Sequence, residues 1–119
     1  MLLAQRALNK ERGAGLWGPA VAGTVEEGET YESNIIKEAE EEIGLRGLNF
    51  TLGPKIRSLN QKHFTQWFTA IVDQNYPFKK QDEEVEALKW ISREEITKLL
   101  KEKPDTFLTY FKQYFELFK

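Results

Sequence analysis

Apolar residues crowd the first eight positions, where Met1, Leu2, Leu3, Ala4, Ala7 and Leu8 surround only Gln5 and Arg6. That run predicts a short strand over Met1–Leu8. Asn9–Gly15 is polar and glycine-containing and reads as a loop. Leu16–Val25 mixes small and apolar residues with Pro19 and Gly23, which predicts an irregular strand, and Glu26-Glu27-Gly28-Glu29 reads as a turn. The period then changes. Tyr31, Ile35, Ile36, Ala39 and Ile43 recur at helical spacing, Thr30 can cap their start, and Gly44 stands where a helix ends in a left-handed residue.

Strand character returns over Leu48–Leu59 and His63–Asp73, with Gly53-Pro54 expected to break or bulge the first of these. Tyr76–Glu83 reads as a polar loop, with Lys79 and Lys80 solvated, and Val85–Ile91 as a further strand. Ser92-Arg93-Glu94-Glu95 has the form of a capping box, opening a helix to about Lys101. Pro104-Asp105 restarts the chain as a last helix, with Phe107, Leu108, Phe111, Tyr114, Phe115 and Phe118 as its apolar stripe. Strands, a helix, more strands and then helices predict an α/β (α+β) sandwich.

The chain's 119 residues fit one domain. A net charge of −2 argues against broad electrostatic binding to nucleic acid or an anionic membrane. The absence of cysteine excludes disulfides, thiolate catalysis and zinc–thiolate sites. No apolar run approaches the roughly 20 residues that span a bilayer. The N-terminal residues are too soon polar for a signal peptide, so a cytoplasmic setting is expected.

Acidic residues concentrate between Glu26 and Glu42. Glu38, Glu41 and Glu42 stand at i, i+3 and i+4, on one face of the predicted helix. Like charges so placed repel by about 0.2–0.5 kcal/mol per exposed pair. A divalent cation would reverse that cost, and oxygen-only ligands suit Mg²⁺ or Mn²⁺. Mg²⁺ is typically held by a few carboxylates together with substrate phosphates. Spacing alone is weak support, because glutamate is a good helix former and acidic helix faces are usually only solvated.

The flanking residues extend the signal. Gly23, Glu29 after five residues, and Lys37-Glu38-Ala39-Glu40-Glu41-Glu42-Ile43-Gly44-Leu45 after seven more resemble the Nudix box. Leu3-Ala4-Gln5-Arg6, Lys10 and Gly15-Leu16-Trp17 resemble the family's strand and loop before the box, and Glu84–Ser92 its last strand. The resemblance covers most of the chain. It implies a Nudix-like α/β/α sandwich with a mixed sheet, here lacking the usual first strand, so that 1–119 would form a single, N-terminally shortened domain. An exposed sheet edge would follow, and with it a homodimer.

The resemblance also implies a metal-dependent hydrolase that cleaves a diphosphate linkage in a nucleoside diphosphate-type small molecule by water attack on phosphorus. Glu38, Glu41 and Glu42 would be metal ligands, joined by the Gly23 carbonyl. Glu29 and Lys37 would brace the loop against the helix. The general base would be Glu41 or a loop glutamate, Glu84 or Glu86. The metal would lower the water's pKa and neutralise phosphate charge. Lys37 replaces the family's arginine and lacks its bidentate fork. Ala39 replaces a larger aliphatic residue, and Ala22 stands where many members have a second glycine.

Two other functions compete. Gly15–Gly23 with Gly28-Glu29-Thr30-Tyr31 resembles the isopentenyl diphosphate isomerase subgroup, whose chemistry uses a cysteine and several histidines; this chain has no cysteine and one histidine. A non-catalytic Nudix domain binding a nucleotide or a protein is the other. Intact Glu38, Glu41 and Glu42 argue against it. Arg6, Trp17 and His63 are candidate substrate contacts, Lys10 a candidate phosphate contact, and each has a plainer reading as surface or core. Most other aromatics are expected in the core.

Overall fold

A computed structural model describes residues 1–57 and 64–117. His63 and Phe118 lie outside them. The elements are β1 (Leu2–Arg6), β2 (Trp17–Pro19), α1 (Tyr31–Ile43), β3 (Thr51–Arg57), β4 (Phe64–Thr69), β5 (Val85–Trp90), α2 (Arg93–Glu102), a 3-10 turn (Pro104–Thr106) and α3 (Phe111–Glu116).

β1 is the centre of a three-stranded sheet ordered β2-β1-β5, both pairings antiparallel. Side chains alternate across a strand, and β1 uses that alternation to feed two cores. Leu3 is fully buried with Ile96, Leu100, Phe107, Phe111 and Phe115 on one face. Ala4 joins Ala39, Ile43, Leu45 and Val85 on the other. The sheet is therefore sandwiched between α1 and the pair α2 and α3. A parallel bridge between Trp17 and Phe107 supplies the mixed pairing, since the named strands all pair antiparallel.

β3 and β4 form a separate antiparallel hairpin. Its register shifts between Leu52 and Lys55, across Gly53-Pro54, because proline cannot donate to the ladder. Trp67 on β4 packs against Tyr114 on α3 with ring centroids 4.5 Å apart, and Lys55 Nζ lies 4.9 Å from the Tyr31 ring centroid at the start of α1.

Several expected elements are shorter than the residue pattern suggested. Strand structure over Leu16–Val25 survives only at Trp17–Pro19, because the following residues leave the sheet to run along α1. Leu48 and Phe50 lie outside β3 yet pack on the α1-side core. The last helix begins at Phe111 rather than Pro104, where the chain makes only the 3-10 turn. Ile36, expected on the buried face of α1, is exposed. The buried residues of α1 are Asn34, Ala39 and Ile43, with Ile35 half-buried, and Ile36 lies about 100° further round the helix than Ile35.

Thr30 does cap α1, and the box is reciprocal with Ser33: Ser33 N–H donates to Thr30 Oγ1 at 3.0 Å and Thr30 N–H to Ser33 Oγ at 2.9 Å. At α2, Ser92 Oγ accepts from Glu95 N–H at 3.1 Å. Gly44 ends α1 at φ 69°, and a Cβ there would stand 3.2 Å from the Lys79 backbone nitrogen. Leu3 is the side chain on which the sheet and the α2–α3 layer close. Leu3→Ala is expected to cost about 2–5 kcal/mol of stability, read from urea unfolding midpoints. A loss below about 1 kcal/mol would mean that this core collapses freely around the cavity.

Candidate functional site

The site is built where the chain leaves β2 and returns along α1. Ala22, Gly23 and Thr24 meet a helical stripe of Asn34, Glu38 and Glu42 in reverse order. Ala22 N–H donates to Glu42 Oε2 at 3.4 Å. A Cβ on Gly23 would stand 2.4 Å from Glu38 Cγ, so only glycine lets the loop pass this close to an undisturbed Glu38. Asn34 Nδ2 donates to the Thr24 carbonyl at 3.2 Å. Residues four apart stack on one helical face, so the stripe is continuous along α1.

Glu29 and Lys37 tie the loop's far end to the helix. Lys37 Nζ lies 2.8 Å from Glu29 Oε2 and 3.9 Å from Glu38 Oε1. Glu29 Oε1 also accepts from Glu26 N–H at 2.9 Å and from Asn34 Nδ2 at 3.4 Å. The Lys37 hydrogen bond, helped by the Glu26 N–H, holds the Glu29 carboxyl below its usual range, and Glu29 in turn raises the Lys37 ammonium. Lysine thus makes the brace as a single charged contact where a guanidinium could make two.

Of the three predicted ligands, the structure pairs Glu38 with Glu42 and leaves Glu41 exposed. Among the described residues, no group of three carboxylate or imidazole side chains surrounds a common point. Glu42 is pushed up to about 8, chiefly by burial, and further by the charges of Glu38 and Glu84. A partly buried carboxylate facing two others is stable only with a proton or a cation between them. Oxygen donors of this kind suit a hard divalent ion, which completes its shell with water and phosphate.

The remaining candidates fall into two groups. Arg6, Glu84 and Glu42 line one cleft, together with Ala22 and Tyr110. Arg6 Nε donates to the Arg12 carbonyl at 3.0 Å, and Arg6 forms no ion pair among the described residues. Burial raises the Tyr110 phenol, against the opposing charge of Arg6. Trp17, by contrast, packs on the core shared by Leu3 and Ile96, and Glu86 is exposed on β5.

The residue reading did not single out Asn34 or Tyr110. Asn34 had a signal, since it is an amide four residues before Glu38 and eight before Glu42. Tyr110 had none, because its place beside Arg6 comes from long-range packing.

The raised Glu42 carboxyl gives a pH dependence of definite sign. Unfolded, it ionises near 4.5; folded, near 8. The folded state therefore binds the extra proton between these values, and its contribution to stability falls as pH rises through that window. Urea unfolding in chelator from pH 5 to 8 should show wild type losing stability relative to Glu42→Gln. Parallel pH profiles for the two proteins would refute this account of the carboxylate.

The chain matches the NUDIX domain family model over residues 1–111. Among curated proteins, none matches it. Solved structures share its fold. A MutT protein from Methanosarcina mazei Go1 aligns with TM-score 0.68 and 24% identity, over 97% of this chain and 79% of that one. A MutT NUDIX hydrolase from Burkholderia pseudomallei aligns with TM-score 0.69 and 23% identity, over 99% and 87%. DR0079 from Deinococcus radiodurans aligns with TM-score 0.74 and 18% identity over 86% of this chain, which spans only 64% of that protein. With the family model covering both the sheet and the Gly23-to-Leu45 loop and helix, the chain belongs to the Nudix family.

Proposed function

We propose that this protein is a divalent-metal-dependent hydrolase cleaving the diphosphate linkage of a nucleoside diphosphate-type small molecule. The observation that carries the reading is the close passage of Gly23 against Glu38, with Glu38 beside Glu42 on α1 and Glu84 lining the same cleft as Glu42. Neighbouring like charges cost free energy that a bound cation would offset. Membership in the Nudix family and the MutT-like fold supports the same reading.

Glu38 and Glu42 would hold Mg²⁺ or Mn²⁺, with the Gly23 carbonyl and Glu41 as further donors. When bound, the ion would neutralise phosphate charge and acidify a water. The chain's own groups do the rest. Lys37 and Glu29 hold the loop in register with the helix. Arg6, uncommitted to a carboxylate among the described residues, offers its guanidinium to substrate phosphate in the cleft it shares with Glu42 and Glu84. Glu84, which lines the cleft together with Glu42, is the base candidate we favour, and it would take the proton from the attacking water. Glu41 and Glu86 are the other two candidates, and both are exposed. No helix among the described residues is long and apolar enough to cross a membrane, which is compatible with a diffusible substrate.

The test is turnover of a panel of nucleoside di- and triphosphates, nucleotide sugars and dinucleoside polyphosphates, with Mg²⁺, Mn²⁺ or chelator. Turnover is expected only with metal, and Glu38→Gln and Glu42→Gln should each lower kcat by about 100-fold or more. Metal-independent turnover would sink the proposal. So would nucleotide binding without hydrolysis of any substrate, which would mark a binding module.

A further inference from the structure

The connection between β1 and β2 holds Glu84, one of the carboxylates that line the cleft. Lys10 Nζ stands 2.6 Å from Glu84 Oε2, and the two side chains are only 26% and 41% exposed. Both ends of this contact are anchored by backbone. Glu84 N–H donates to the Gln81 carbonyl at 3.0 Å, and the Glu84 carbonyl accepts from Ala7 N–H at 3.1 Å. The connection is closed by Gly15 N–H to the Arg6 carbonyl at 3.0 Å and Leu16 N–H to the Gly13 carbonyl at 3.0 Å. Gln5 Nε2 adds a bond to the Gly15 carbonyl at 3.0 Å, and Arg6 Nε one to the Arg12 carbonyl at 3.0 Å. Gly13 and Gly15 adopt the positive φ, 65° and 74°, that this tight path needs.

An isolated surface ion pair contributes little because two flexible side chains must be ordered to form it. Here the backbone on both sides is already fixed. The electrostatics explain why a cation is needed. Glu84 lines the same cleft as Glu42, and its charge adds to the repulsion that Glu42 meets. Lys10 is the cation that the fold sets against this carboxylate.

We propose that Lys10 is a positioning residue for hydrolysis: it holds the Glu84 carboxylate beside the Glu38–Glu42 pair, where Glu84 accepts the proton of the attacking water. This rests on the hydrolase reading above. The competing role is a direct grip of Lys10 on substrate phosphate. The two differ in which kinetic constant moves.

The experiment compares Lys10→Met, Lys10→Arg, Glu84→Gln and the double variant Lys10→Met/Glu84→Gln with the substrate and metal that the wild type uses. A displaced base costs rate, so Lys10→Met should lower kcat by about 10- to 100-fold. KM should change by less than about threefold, since no substrate contact is removed. Lys10→Arg should restore most of the rate, and the double variant should be no slower than Glu84→Gln, because Lys10 acts only through Glu84. Unchanged kcat in Lys10→Met would overturn the inference. So would a rise confined to KM, or losses that multiply in the double variant. Should Lys10→Met not fold, Lys10→Gln replaces it with the same expectations. A wild type without metal-dependent turnover would overturn the hydrolase reading and this inference with it, a result recognisable before any variant is made.

Discussion

The site depends on one close approach, the passage of Gly23 against Glu38. A single methyl group there would overlap the Glu38 side chain at 2.4 Å. Because that methyl is missing, the loop can lie on the helix. Ala22 then reaches Glu42 and Thr24 reaches Asn34. The loop gains partners for backbone groups that would otherwise face water, and the helix gains cover for a stripe that would otherwise be solvated. The cost falls on the carboxylates. Covering Glu42 removes the water that would stabilise its charge, and Glu38 and Glu84 add repulsion.

That cost is tolerated because the rest of the fold is stiff around it. β1 sends Leu3 to one core and Ala4 to the other, so the sheet is held from both sides. α1 is closed at its start by Thr30 and Ser33 and at its end by a left-handed Gly44 pressed against Lys79. A helix capped at both ends resists fraying, which holds Glu38 and Glu42 in register with the loop. Lys37 and Lys10 each offset part of the acidic field from outside the Glu38–Glu42 pair, the first through Glu29 and the second through Glu84.

Lysine in place of the family's arginine at position 37 shows how position can outweigh residue type. The guanidinium fork is absent, yet Glu29 keeps three further restraints: Lys37, the Glu26 N–H and the Asn34 amide. The brace is spread over several donors, so no single one needs two-point geometry.

Local chemistry was enough for much of this. Helical spacing, the threonine before it and the glycine after it set the bounds of α1, because caps and periodicity act within a turn or two of chain. The same locality makes Gly53-Pro54 a bulge and brings Glu38 and Glu42 onto one face. The Gly23-to-Leu45 spacing was legible as a family pattern for the same reason, since loop and helix are contiguous. What sequence could not decide is whatever depends on distant segments meeting. The burial that raises the Glu42 carboxyl is a property of the packed fold, opposed by the Ala22 N–H and reinforced by the charges of Glu38 and Glu84. Lys10 finds Glu84 across 74 positions, and Tyr110 arrives beside Arg6 from the far end of the chain. Trp17 reads as a candidate substrate contact in the residue pattern, and only Phe107 and Leu108 alongside it put it on the core. A residue's type fixes which interactions it can make, while the company it keeps across the fold decides which of them it does make.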